Sequence, residues 1–185
     1  MTLTYCHIAP SSEVHASYHE NEYGFIVKDE KVLFERLSME IMQAGLSWET
    51  ILKKRKGLNL AFKGFDVQKV AAFSEKDVER LLNDASIIRN KLKIRAIIHN
   101  ASVILNMRKE ASGFYNWLDF HKKQNNFQDR QEAVLFWVKL FKKTFRFTGK
   151  EIVSEFLMSI GIISGAHESW CPVYKKAQKH NDKHS

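Results

Sequence analysis

The two prolines of the chain lie near its ends, at positions 10 and 172, and their placement constrains the fold more than any other feature. Proline breaks helices, because its ring fixes φ and removes a backbone donor. The long stretch between Pro10 and Pro172 can therefore be built from helices. Apolar residues recur in it at helical spacing, and no segment alternates as a half-buried strand does. The sequence predicts an all-α fold.

Capping residues and apolar stripes predict where several helices begin. Asp29 precedes the stripe of Leu33, Leu37 and Ile41, Asp66 precedes a stripe at 67–71, and Ser74 with Asp77 resembles a capping box. A short connection around 83–93 then leads into a longer helix that includes 94–105. Core helices are also predicted around 117, 133–141 and 152–160.

Size and charge narrow the class of protein. A chain of 185 residues that is 44% hydrophobic can bury one sizeable core or two small lobes. Its start lacks the basic and apolar run of an export signal, and no stretch is long and apolar enough to predict a membrane span. The net charge of +8 is clustered at 53–56 and 89–95. This pattern favours nucleic acid as the partner, although solvated helix faces are the alternative.

Two cysteines and two histidines at opposite ends of the chain have spacings that suit one metal ion. Cys6 is followed by His19, and His167 precedes Cys171 by four residues, about one helical turn. Two thiolates and two imidazoles complete a tetrahedral zinc shell, which leaves no open position for catalysis. The prediction is a structural zinc that joins the two ends. Two buried, apolar cysteines or a disulfide remain as alternatives.

Glu40 lies inside the apolar stripe that should face the core, three residues after Leu37. A carboxylate there is costly unless something pairs with it. Gly45 and Trp48 follow closely; the glycine can end a helix and let the backbone approach another molecule, and the indole offers a broad aromatic face. The alternative places Glu40 at the edge of the stripe in contact with water and Trp48 in the core.

Taken together, these segments resemble the DNA-3-methyladenine glycosylase I family. The resemblance rests on Glu40 with the QAGLSW sequence at 43–48, and on Cys6, YHENEYG at 18–24, ILKKR at 51–55, IIR at 87–89, His167 and Cys171. It implies an all-helical helix-hairpin-helix fold and bacterial base-excision repair. It also implies that Cys6, His19, His167 and Cys171 bind the structural zinc.

The resemblance assigns roles to individual residues. Glu40 would be the catalytic-site carboxylate that accepts hydrogen bonds from the methylated adenine and stabilises charge, while Trp48 would stack on the base. The phenols of Tyr18 and Tyr23 would line the pocket; Tyr23 stands where the family usually has tryptophan. DNA contacts are expected from Gln43, Gly45 and Leu46 on the loop that probes the duplex, and from Ile88, Arg89 and Lys91 in the hairpin.

The expected activity is excision of 3-methyladenine from alkylated double-stranded DNA by hydrolysis of the N-glycosidic bond. The chain is expected to be a cytoplasmic monomer with one glycosylase domain at 1–174 and a basic, disordered tail at 175–185. A division into two helical lobes, with a middle lobe at about 67–105, is an alternative. The departures at Ile8 and Tyr23 raise another alternative, a non-catalytic protein that binds damaged DNA; a general zinc-clamped DNA-binding module is a third.

Overall fold

A computed structural model describes residues 3–184, so Met1, Thr2 and Ser185 lie outside the described residues. Over that range the chain is all-α and forms no strand, which confirms the predicted fold class. The α-helices are α1 (Tyr5–Ile8), α2 (Glu13–Asn21), α3 (Glu30–Gln43), α4 (Trp48–Ala61), α5 (Val67–Ala71), α6 (Glu75–Asn83), α7 (Lys91–Glu110), α8 (Phe114–Lys123), α9 (Arg130–Thr144), α10 (Lys150–Ser159) and α11 (Pro172–His184). Short 3-10 helices occupy Ala9–Ser11 and Lys63–Phe65.

Helix α3 is the centre of the molecule. Asp29 caps it as predicted, because its carboxylate accepts hydrogen bonds from the backbone N–H groups of Lys31 and Val32. Every residue from 33 to 42 is buried, since α3 packs against α4, α5, α7, α8 and α10. The predicted apolar stripe is thus part of a helix that is enclosed on all sides. Polar side chains of α3 therefore lie where an unmet hydrogen bond is costly.

Other predicted helix boundaries are also confirmed. Asp66 caps α5, and Ser74 and Asp77 form the capping box of α6. Asn90 caps α7 by accepting a hydrogen bond from the N–H of Lys93. The connection between α6 and α7 therefore spans 84–90, and α7 carries the predicted stripe. None of the described helices is both long and apolar enough to cross a membrane.

The C-terminal segment differs from the expected disordered tail, because residues 172–184 form α11. Val173 and Ala177 are buried against a small cluster with Phe25. The Asn181 side chain donates to Gly24 O and accepts from Ile26 N, both at 2.8 Å. The polar composition of the segment suggested a solvated tail, but these few contacts are enough to dock the helix on the N-terminal part of the chain.

Candidate functional site

The carboxyl of Glu40 is buried at the heart of the molecule, with the residue only 4% exposed. No group in residues 3–184 donates a hydrogen bond to it. Burial raises the pKa of Glu40 well above its ordinary value, and the nearby Glu155 raises it further, while Arg36 opposes the shift. The structure thus supports the interpretation of Glu40 as a buried polar group and excludes the exposed alternative.

A cavity of about 140 Å³ opens beside this carboxyl. It is lined by Tyr5, Tyr23, Glu40, Gln43, Trp48 and Glu155. Ring faces and edges thus enclose two acidic groups. Such a space suits a flat ligand that is positively charged or carries hydrogen-bond donors.

The aromatic side chains form a connected group around the cavity. Trp48 begins α4 after the Ser47 cap, and its ring centroid lies 5.3 Å from that of Tyr18. The rings of Tyr5 and Tyr23 are 5.1 Å apart. Tyr18 itself is not among the residues that line the cavity; it packs behind Trp48 and Tyr23. The predicted pocket therefore includes Tyr23 and Trp48 directly, whereas Tyr18 supports them.

Arg36 holds the Tyr18 side chain in place through its guanidinium group. Its guanidinium donates to Tyr18 Oη at 3.2 Å and lies 4.8 Å from the centre of the tyrosine ring. The same group pairs with Glu22 at 2.8 Å, and Glu22 also pairs with Arg55 at 2.7 Å. Arg55 belongs to the basic cluster at 53–56, so its charge is already used within the protein. This network holds α2, α3 and α4 together beneath the aromatic wall.

Two lining residues, Tyr5 and Glu155, were missed in the sequence. Glu155 lies directly before Phe156 in the apolar part of α10, the same pattern that drew attention to Glu40. Tyr5 directly precedes Cys6, just as Tyr18 precedes His19. In both cases a usable signal existed. By contrast, Ile8 is 43% exposed and does not line the cavity, so its departure from the family pattern does not change the cavity wall.

The predicted metal ligands come together at one point. The ligand atoms of Cys6, His19, His167 and Cys171 all lie within 4.8 Å of one another. Cys6 Sγ is 3.4 Å from His19 Nε2, His167 Nδ1 is 3.2 Å from His19 Nε2, and Cys171 Sγ is 3.7 Å from His19 Nε2. A tetrahedral zinc with ordinary bond lengths would separate its ligand atoms by roughly 3.3–3.8 Å. The group could hold a metal ion.

A backbone contact orients one of these ligands. His167 Nε2 donates to Tyr23 O at 2.7 Å, which leaves Nδ1 free of a proton and directed at the other ligands. The approach is close because residue 24 is glycine: at its φ of +82°, a Cβ would lie 2.7 Å from the Ala166 Cβ. The cluster of four candidate metal ligands therefore adjoins Tyr23, one wall of the cavity.

The predicted DNA-binding residues lie on two adjoining loops. Gln43 is half-buried at the end of α3, while Gly45, with φ of +83°, and Leu46 are exposed. In the α6–α7 connection Ile88 is half-buried and Arg89 is exposed, and Lys91 is exposed at the first position of α7. Lys93 joins the two loops, because its ammonium donates to Met42 O at 2.8 Å and Ala44 O at 2.6 Å.

The sequence of this chain is similar to those of known methyladenine glycosylases. A family model described as methyladenine glycosylase matches residues 8–174. DNA-3-methyladenine glycosylase 1 from Escherichia coli is 37% identical over 183 residues, covering 91% of this chain and 96% of that protein. DNA-3-methyladenine glycosylase from Haemophilus influenzae is 32% identical over 180 residues, covering 91% of this chain and 97% of that protein.

A solved structure agrees with these matches. The 3-methyladenine DNA glycosylase I from Staphylococcus aureus, described in a study of 3-methyladenine recognition, aligns with a TM-score of 0.80 at 28% identity. The alignment covers 91% of this chain and 95% of that one. Sequence and fold therefore agree, and the chain belongs to the methyladenine glycosylase family.

Proposed function

We propose that this protein excises 3-methyladenine from alkylated double-stranded DNA. The observation that carries the proposal is the buried, unpaired carboxyl of Glu40 in a cavity walled by Tyr5, Tyr23 and Trp48. Family membership and the names of the relatives support it. The bacterial source of those relatives favours a cytoplasmic enzyme that acts on chromosomal DNA, and a monomer is expected.

The chemistry fits a site with few catalytic groups. A purine methylated at N3 carries positive charge while it is attached to deoxyribose. When the bond from N9 to C1′ breaks, its electron pair neutralises the ring, and water adds to C1′ and loses a proton to solvent. The products are free 3-methyladenine and an abasic sugar. Glu40 accepts hydrogen bonds from the cationic base and stabilises its charge in a dry site, and Trp48 stacks on it.

DNA is proposed to bind across the two loops beside the cavity. Gln43, Gly45 and Leu46 would enter the duplex where the base leaves the stack, and Leu46 is 40% exposed for such a role. The α6–α7 connection would act as a helix-hairpin-helix motif, in which Ile88, Arg89 and Lys91 contact the phosphate backbone. Zinc is proposed as the ion held by Cys6, His19, His167 and Cys171.

A base-release assay tests the function. Duplex DNA treated with a methylating agent is incubated with the protein, and free bases are separated and quantified. We expect 3-methyladenine to be released, and Glu40→Gln to lower the rate by about 100-fold, since one electrostatic group of this kind contributes about 10²–10³. Glu110→Gln, at an exposed site at the end of α7, is the matched control and should release base at the normal rate. Absence of release at high protein concentration would contradict the proposal.

A non-catalytic damage-binding protein is the second candidate, because Tyr23 stands where the family usually has tryptophan. The hydroxyl of Tyr23 donates a hydrogen bond to Glu155, and tryptophan has no hydroxyl at that point. The wall of the cavity is therefore altered at this position. Tight binding to alkylated duplex without release of any base would favour this candidate.

A further inference from the structure

A second acidic side chain, carried by a different helix from Glu40, reaches the cavity. Glu155 lies on α10, which packs against α3, and both Glu155 and Glu40 line the same space of about 140 Å³. Tyr23 Oη donates a hydrogen bond to Glu155 Oε2 at 3.1 Å. This contact fixes the carboxyl at the cavity wall. Glu155 is therefore a placed group rather than a mobile surface side chain.

Side chains of both charges lie near Glu155, but none of them forms an ion pair with it within residues 3–184. Glu155 also borders a wider opening of about 590 Å³, where Arg130, Lys150 and Glu151 lie. Arg130 attracts the carboxylate and Glu151 repels it. Arg130 instead directs a guanidinium N–H to the sulfur of Met158. Burial raises the pKa of Glu155, while the hydrogen bond from Tyr23 and the charge of Arg130 oppose that shift. Across the cavity, the charge of Glu155 raises the pKa of Glu40.

Two carboxyl groups in one small cavity repel each other. This repulsion adds to the cost of burial, and it is one cause of the raised pKa of Glu40. An uncharged base that enters the cavity displaces water from both acids but does not reduce the repulsion between the two carboxylates, so its binding is disfavoured. A cationic base relieves the repulsion, because the positive charge is attracted to both groups. A second acid therefore widens the difference in affinity between charged and uncharged bases.

We propose that Glu155 is a specificity-determining residue which, together with Glu40, makes the cavity select purines that carry a positive charge. The ligand class is N-alkylated purines still substituted at N9, in which the ring cannot lose its charge. The inference deepens the proposed function and rests on the same cavity. It assigns the selection of charged lesions to two acids on different helices.

Binding of two small bases to the full chain tests the assignment. The permanently cationic 3,9-dimethyladeninium resembles the charged lesion, and 9-methyladenine is its uncharged match. Each is titrated calorimetrically at neutral pH. We expect Glu155→Gln to weaken binding of the cation about tenfold, the size expected for one hydrogen bond or contact to a charged group, and to leave the uncharged base unaffected. Glu110→Gln, at an exposed site at the end of α7, removes the same charge at a residue that does not line the cavity and should change neither affinity.

Conservative variants separate charge from structure. Glu155→Asp keeps the charge and should retain the preference for the cation, whereas Glu155→Ser should lose it as Glu155→Gln does. Thermal melting shows whether each variant is folded. Of the two neutral variants, Glu155→Gln and Glu155→Ser, one that is folded is compared with the unaltered protein. The proposal is overturned if the neutral variant keeps full preference for the cation, or if both bases lose affinity equally.

Base release by the unaltered chain is measured in parallel. If the unaltered chain releases no 3-methyladenine but keeps a cation preference that depends on Glu155, the proposed function fails and this inference stands. If it releases 3-methyladenine and the cation preference does not depend on Glu155, the inference fails and the proposed function stands.

Discussion

The buried carboxyl of Glu40 destabilises the fold when it is ionised. The pKa of Glu40 in the folded protein lies above the ordinary value of 4.5. Between pH 4.5 and the folded-state pKa, the folded protein therefore keeps Glu40 protonated while the unfolded chain does not. Stability therefore falls as the pH rises through this window, and the penalty is absent below the unfolded pKa. A residue retained at such a cost is more easily explained by recognition than by packing.

We expect Glu40→Gln to be more stable than the unaltered protein at pH 7. The amide has nearly the same shape but no charge, so the gain is on the order of 1 kcal/mol, or roughly 2–4 °C in Tm. The gain should shrink as the pH falls toward about 4, because Glu40 is then neutral in both states. Thermal melts across this pH range measure it, with Glu110→Gln as the control. A lower Tm at pH 7 would contradict the argument.

Only some of the residues of the candidate site could be predicted from the sequence. The spacing of the two histidines and two cysteines predicted that they would meet, and they do. The place of Glu40 in an apolar stripe predicted its burial. Tyr5 and Glu155 carry a local signal like that of Tyr18 and Glu40, but their place on the cavity wall depends on contacts between distant segments: Glu155 meets Tyr23 across 132 positions of the sequence. The roles assigned to the site residues stay predictions.

At the scale of helices, α7 is attached to the end of α3 through Lys93. The ammonium is buried and donates to two carbonyls at the C-terminus of α3, where the helix dipole favours a positive charge. Burial lowers the pKa of Lys93, and the two hydrogen bonds offset the cost of placing its charge there. The loop at 43–48 and the connection at 84–90 are therefore held as one surface.

The same substitution at two lysines of α7 should have opposite effects. Lys93→Met is expected to cost about 1–3 kcal/mol of stability, because two carbonyls lose their charged partner, with little change in the salt dependence of DNA binding. Lys91→Met, at an exposed site, should leave stability unchanged but lower the slope of log affinity against log salt by about 0.9. Chemical denaturation and salt-dependent DNA binding measure both. Equal changes of slope in the two variants would contradict this division.

Helices with a clear apolar stripe were predicted whether or not a side chain caps them, as α8 and α10 show, whereas α4 was missed although Ser47 caps it. Helix α4 was not predicted because the run at 53–56 interrupts its apolar positions. In the structure Lys53 pairs with Glu49, Lys54 donates to Ala85 O, and Arg55 pairs with Glu22 and Glu35. Much of this cluster therefore serves internal contacts rather than nucleic acid. Composition alone cannot separate these two uses of positive charge.

At the scale of the whole molecule, the two ends of the chain close on each other behind the cavity. Helix α11 docks on residues 24 and 26, and the cluster of four candidate metal ligands brings α1 and α2 against the segment at 167–171. His167 contacts Tyr23 O, so this closure supports the cavity wall. The sequence could predict the four ligands but not this coupling. The division into two lobes around 67–105 stays a prediction.

Removal of the metal should loosen the closure and, through it, the base-binding cavity. We expect about one zinc per chain by elemental analysis of protein purified without added metal. A metal present at about 1000 times its dissociation constant contributes about 4 kcal/mol, so chelation should lower Tm by roughly 8–16 °C. His167→Ala should reproduce this loss, whereas His184→Ala, at an exposed site on α11, should not. Base release should fall together with Tm, since no ligand position is left open for chemistry. If the purified protein contains no metal and chelators do not change its stability, the zinc prediction is wrong. The four side chains would then form a hydrogen-bonded cluster.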